Sequence, residues 1–213
     1  MQGDSLVTNR QSIDMNGVLG NGSLWLNGGG RYDLLDSVRI VSFGNGINLV
    51  RGDFRTHGHS IYASAMTLDV RGTNAADISG SRVRLFDSGG GIGLNVNTAY
   101  IGRHDGLGTW NAAGSTIQSD LRAVIVTNTA PVTYNNIVMN VPGADADIVG
   151  TATQRVTFHN VTYLHTPPQV VGGNYMNGRF TIDTLRYPRS SLNTLQTGSG
   201  QSYTIADTLI VSG

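Results

Sequence analysis

The sequence predicts an all-β chain, and three observations carry that prediction. All 14 basic residues are Arg and all 14 acidic residues are Asp, so Lys and Glu, two strong helix formers that coat helix surfaces, are absent. Gly supplies 29 of the 213 residues beside abundant Asn, Thr and Ser, which favour turns and strands. Short runs alternate apolar residues with Thr, Asn and Arg at period 2 and stop at turn residues, and no stretch alternates at helical period.

Residues 1–22 are polar and rich in Gly and Asn, and read as an extended N-terminal arm whose ordering is left to a partner. Residues 23–213 read as one domain. It opens with Ser23-Leu-Trp-Leu-Asn27, and Gly28-Gly-Gly30 follows as a break that Gly tolerates best. Runs 36–43, 47–50, 65–70 and 81–86 then each end in a turn, at Gly44-Asn-Gly46, Arg51-Gly-Asp53, Arg71-Gly-Thr-Asn74 and Asp87-Ser-Gly-Gly-Gly91. The clearest strands lie in residues 117–165: Leu121-Arg-Ala-Val-Ile-Val-Thr127, Tyr134-Asn-Asn-Ile-Val-Met-Asn-Val141 and Arg155-Val-Thr-Phe-His-Asn-Val-Thr-Tyr163. Runs 179–185 and 202–212 close the chain.

Similar strands recur at intervals of roughly 14 to 40 residues, looser than a regular repeat family. That spacing fits a right-handed parallel β-helix-like rod with irregular coils, Val, Ile, Leu and Phe filling a narrow interior. Roughly eight to ten rungs at about 4.8 Å each are expected. The competing reading is a β-sandwich or jelly roll, whose hairpins would use Asn16-Gly17, Asn45-Gly46, Asp105-Gly106 and Asn177-Gly178 as two-residue turns. The last run, 208–213, is apolar with no polar cover, so a symmetric neighbour is expected to bury that edge, most simply in a homotrimer.

The formal net charge is zero, which argues against nucleic acid or an anionic membrane as partner. No apolar run approaches the roughly 20 residues that span a bilayer, and the first ten residues lack the basic and apolar regions of a signal peptide. There is no Cys, which removes disulfides, thiolate metal sites and a Cys nucleophile.

Candidate chemistry is sparse. Asp145 and Asp147 would share a face if extended, and Asp33 and Asp36 flank two Leu, but Asp beside Gly or Pro is ordinary turn chemistry. His57 and His59 offer two imidazoles with only Asp53 as a nearby carboxylate. His104-Asp105, His159 and His165 stand alone in sequence. Gly89-Gly-Gly-Ile-Gly93 lacks the Lys and following helix of a phosphate loop, and Arg51-Gly-Asp53 is a short chance match to an integrin-binding tripeptide. Asn21 and Asn160 head glycosylation sequons, which matter only in a secreted chain. Arg82, Arg84 and Arg103 lie close enough in sequence to form a local patch. Trp110, with Tyr100, suits sugar stacking or an interface, as do Tyr163, Tyr175, Tyr187 and Tyr203 between subunits, with core burial as the alternative. No catalytic residue, metal site or cofactor is assigned.

The runs 38–43, 66–70, 83–86, 121–127, 137–141, 156–163 and 204–211, low in charge and bounded by Gly and Asn turns, give the chain a likeness over residues 23–213. In architecture it resembles the β-helical virion proteins of tailed bacteriophages, among them tailspikes and the knob-like cement or decoration proteins that sit on capsids as trimers. Depolymerising tailspikes are usually much longer than an arm plus one compact rod. The resemblance therefore implies a non-enzymatic capsid decoration protein at the virion surface, partnered by the major capsid protein or other virion subunits. Two alternatives remain: a short tailspike that cleaves polysaccharide with Asp145, Asp147 and the Arg group, and an adhesin module that binds a host surface glycan through Trp110 and Tyr100.

Overall fold

The computed structural model describes residues 9–42, 45–86, 98–141, 146–150, 154–165, 174–188 and 202–212. Those residues contain strands and no helix. The first nine strands are β1 (Arg10–Ile13), β2 (Leu24–Leu34), β3 (Val38–Arg39), β4 (Gly46–Arg55), β5 (Ile61–Ala63), β6 (Ala65–Val70), β7 (Ala75–Asp77), β8 (Arg82–Leu85) and β9 (Thr98–His104). The rest are β10 (Thr109–Asn111), β11 (Thr116–Ser119), β12 (Ala123–Asn128), β13 (Val132–Met139), β14 (Asp147–Gly150), β15 (Val156–Tyr163), β16 (Tyr175–Asn177), β17 (Arg179–Pro188) and β18 (Ser202–Ser212).

The chain alternates between two sheets. The first runs β1-β2-β4-β6-β9-β12-β14-β16, with β7 and β10 beside it, and the second runs β3-β5-β8-β11-β13-β15-β17-β18. Every pairing between these strands is parallel. The molecule is thus a β-solenoid of about seven turns. Parallel pairing removes the sandwich reading, because a two-residue hairpin joins only antiparallel strands. The Asn-Gly and Asp-Gly pairs serve the coils instead: Asn16 and Gly17 both turn a corner with positive φ, at 46° and 72°.

Stacking explains the regularity that strand positions hide. Val38, Ile61, Val83, Ile117, Ile137, Val161, Leu185 and Leu209 occupy one column of the second sheet. All but the last, on the terminal strand, are buried. Successive steps in this column are 23, 22, 34, 20, 24, 24 and 24 residues. One long coil, between Val83 and Ile117, breaks a period that is otherwise near 23. Coils of that length give seven turns rather than eight to ten. Leu26, Leu49 and Leu68 form a matching column of the first sheet. Each buried aliphatic side chain contributes roughly 1.5–3 kcal/mol. Ordering a residue's backbone costs roughly 1–2 kcal/mol, so a coil holds its shape only against its neighbours.

The expected arm is in part a rung. Residues 10–13 pair with Arg31–Leu34 of β2, and Ile13 joins the core at 1 % exposure. Alternation in Arg10-Gln-Ser-Ile13 is too short a signal to show this, and the partner that orders it is the chain's own next coil.

Candidate functional site

A cleft of about 420 Å3 opens on the side of the solenoid where β9, β10 and β13 meet. Asp105 shapes its lip by accepting hydrogen bonds from the N–H groups of Gly72 (2.8 Å) and Leu107 (2.9 Å), which turns the chain from β9 into β10. Trp110 follows on β10 as a half-buried wall of the cleft. Its indole Nε1–H donates to the Thr133 carbonyl at 2.8 Å, and its ring meets those of His104 and Tyr134, each 5.0 Å away between centroids. Three contacts therefore fix the orientation of one ring.

Beneath it, His104 Nε2 lies 2.8 Å from Tyr134 Oη, the donor depending on the imidazole tautomer. Gly102 makes this pair possible, since a Cβ there would overlap both Tyr134 Oη and His104 Nε2. Burial pulls the His104 imidazole down to about 4, against the opposing pull of Asp105 and Asp69, so it is uncharged at neutral pH. Burial also raises the Tyr134 phenol well above its usual value, which keeps its proton in place. The outer wall carries Thr133, Asn135 and His159. His159 is exposed, and its Nδ1 lies 2.6 Å from Asp183 Oδ2 on the next coil. Thr157, Thr181 and Thr204 continue the Thr133 position over three further coils. This arrangement can present neutral hydrogen-bonding groups around a fixed aromatic face.

A second polar cluster ties the first coils together. Asp33 is fully buried, yet it accepts from Arg10 Nε (2.5 Å) and Arg31 Nε (2.8 Å) and lies 2.5 Å from His57 Nε2. Burial pushes the Asp33 carboxyl up, and the bonds from Arg31, His57 and Arg10 outweigh it, leaving it at about 2. Each partner comes from a different coil or strand end, so the carboxylate acts as a rivet.

The remaining sequence candidates fall elsewhere. Asp36 caps a turn, accepting from Met15 N (2.8 Å) and Gly17 N (3.3 Å). Asp147 accepts from Tyr175 N at 3.3 Å, while Asp145 and Gly89–Gly93 lie outside the described residues. His57 serves Asp33, His59 closes the next turn on Thr56, and no cluster able to hold a metal occurs among the described residues. His165 Nε2 lies 2.9 Å from Asn140 Oδ1. Arg51-Gly52-Asp53 is strand: Gly52 is buried, donates to Asn74 Oδ1, and has φ 121°, while Asp53 pairs with Arg55. Asn21 is an exposed corner residue, whereas Asn160 donates to Asn136 Oδ1 within a ladder on the second sheet.

The Arg group is not one patch. Arg82 and Arg84 project from the second sheet toward Gln118 and Asp120, whereas Arg103 projects from the first and covers the Tyr100 ring at 5.2 Å. Tyr100 is thus engaged apart from Trp110. Tyr163 and Tyr187 are core residues in edge contact at 5.4 Å, and Tyr175 and Tyr203 are half-buried. Sequence reasoning singled out Trp110 but missed Tyr134, Thr133, Asn135 and Asp183. The only signal for them is the recurrence of Thr133-Tyr-Asn-Asn, Thr157-Phe-His-Asn and Thr181-Ile-Asp-Thr at 24 residues. No family model, no curated protein and no solved structure matches this chain.

Proposed function

We propose that the chain is a non-enzymatic structural protein of a virus particle, a trimeric decoration knob that clamps neighbouring shell subunits. The supporting observation is a lateral column on the first sheet. Trp25, Asn48, Thr67, Tyr100, Ile125, Val149 and Asn177 stack outward over seven successive strands without one charge. Trp25 is 56 % and Tyr100 37 % exposed, and Ile125 and Val149 are half-buried, so four large apolar or aromatic side chains, interspersed with the neutral Asn48, Thr67 and Asn177, form an uncharged stripe along the rod, with Arg103 lying over the Tyr100 ring. Packing three such stripes about a common axis would bury them while leaving the other faces for the shell. The added stability would come from burying surface across shell joints, without chemistry. The polysaccharide-cleaving alternative has no comparable observation behind it, because Arg103 lies on a different sheet from Arg82 and Arg84.

Light scattering should give three times the 22.6 kDa chain mass, and Trp25→Asp with Val149→Asp should reduce it to one. Particles lacking the protein should burst at lower temperature than those carrying it. A monomeric wild-type protein, or particles of unchanged heat resistance, would refute the proposal.

A further inference from the structure

We infer that the cleft around Trp110 is a binding site for an uncharged oligosaccharide that lies along the rod axis. The inference does not depend on the assembly proposed above, since every residue it uses belongs to one chain. Sugar rings present an apolar C–H face and a rim of hydroxyls, so their sites pair a rigid aromatic wall with neutral donors and acceptors. Trp110 supplies the wall, with its orientation already set by Thr133, His104 and Tyr134. Because those contacts exist without ligand, little ordering is left to oppose binding. Asn111, Thr133, Asn135 and His159 supply the polar rim in a cleft of about 420 Å3, room for a short oligosaccharide segment.

The direction of the ligand follows from register. Thr133, Thr157 and Thr181 lie one above another on successive strands, at a parallel-sheet step of roughly 4.8 Å. Thr181 Oγ1 already accepts from Arg155 at 2.8 Å, which leaves its O–H to donate. A chain of sugars leaving Trp110 along the axis would meet a hydroxyl at every coil. Two charged groups flank this track outside the cleft: Asp183, 2.6 Å from His159, and Arg155, whose guanidinium is engaged by Thr181. Burial keeps His104 neutral, so no fixed charge within the cleft calls for an acidic or basic sugar.

An array of uncharged hexose and N-acetylhexosamine oligosaccharides, with sialylated and uronate-containing glycans as the charged comparison, tests the assignment. The best binder is then titrated against Trp25→Phe, in which Trp110 is the remaining tryptophan and its fluorescence reports directly on the cleft. Binding of an uncharged oligosaccharide with a shift in Trp110 emission is expected, together with at least tenfold weaker binding in Trp110→Ala. His159→Ala and Thr133→Val alter exposed positions and should each weaken binding severalfold, which keeps the test decisive if Trp110→Ala does not fold. The inference is overturned if no uncharged glycan binds, if only charged glycans bind, or if affinity is indifferent to all three substitutions.

Discussion

Replacing Asp33 with Asn isolates the charge of the buried rivet while nearly keeping its shape. In the folded chain this carboxyl titrates at about 2 instead of 3.8. At 1.36 kcal/mol per pKa unit, that difference corresponds to about 2 kcal/mol of stability at neutral pH. The sign is set by a folded value below the unfolded one. The contribution is therefore complete above the unfolded pKa and fades as pH falls from about 5 through 2. Solvent trims the share carried by Arg10 and His57, whose side chains are 61 % and 42 % exposed, while Arg31, at 27 %, retains most of its own. Urea unfolding of Asp33→Asn should show a loss of about 2 kcal/mol at pH 7 that narrows to roughly 0.4 kcal/mol at pH 2, where the wild-type carboxyl is about half protonated. Amide exchange should quicken first at the bonds from Arg31 N to Asn9 O and from Leu35 N to Ile13 O, which hold the first coil to the second. A deficit equal at both pH values would refute the electrostatic reasoning and assign the effect to packing. A deficit below about 0.5 kcal/mol would show that the ion cluster does not rivet the coils.

Two further substitutions probe the stack itself. Gly102→Ala should cost about 3 kcal/mol in urea unfolding, because the new methyl overlaps Tyr134 Oη and His104 Nε2 and drives apart the pair that hydrogen-bond each other at 2.8 Å. Ile137→Ala should cost about 2–5 kcal/mol by the same assay, since Ile137 is 1 % exposed between Ile117 and Val161 and coils above and below cannot collapse into the gap independently.

The all-β class was legible because composition excludes helix surfaces and because the inner column, Val38 to Leu185, alternates with mostly polar neighbours, Val138 beside Ile137 and Tyr62 beside Ile61 being the departures. The period was written in the same residues but obscured. Strand lengths run from Val38–Arg39 to the eleven residues of β2, so strand starts scatter while column positions do not. Residue pairs that create sites were hidden for a related reason. His104 and Tyr134 are 30 residues apart, and Asp33 and His57 are 24 apart. Each separation is close to a coil length, and a solenoid turns that offset into vertical contact. Local pattern rules look for partners within a strand or helical turn and pass over such pairs. Residues 10–13 were lost to the arm for want of length, since their inward Ile13 is recognisable only beside Leu34.

The outward stripe and the Trp110 cleft occupy different faces of one rod, and this separates the two functional readings physically. Trp25, Tyr100, Ile125 and Val149 project from the middle strands of the first sheet, whereas the cleft lies at that sheet's margin, where the end of β9 and β10 meet β13 of the second. A trimer closed through the stripe would leave three clefts facing outward at fixed spacing. Binding to a polymeric glycan surface would then gain from effective concentration, by a factor on the order of 100 or more, although each cleft binds a short oligosaccharide no better than before. Loss of the stripe should therefore weaken attachment to a polymer and leave the affinity for a short oligosaccharide unchanged. Loss of the Trp110 wall should abolish both while the trimer persists. If short-oligosaccharide affinity falls together with the trimer, the cleft is completed by a neighbouring subunit and the two faces are one site.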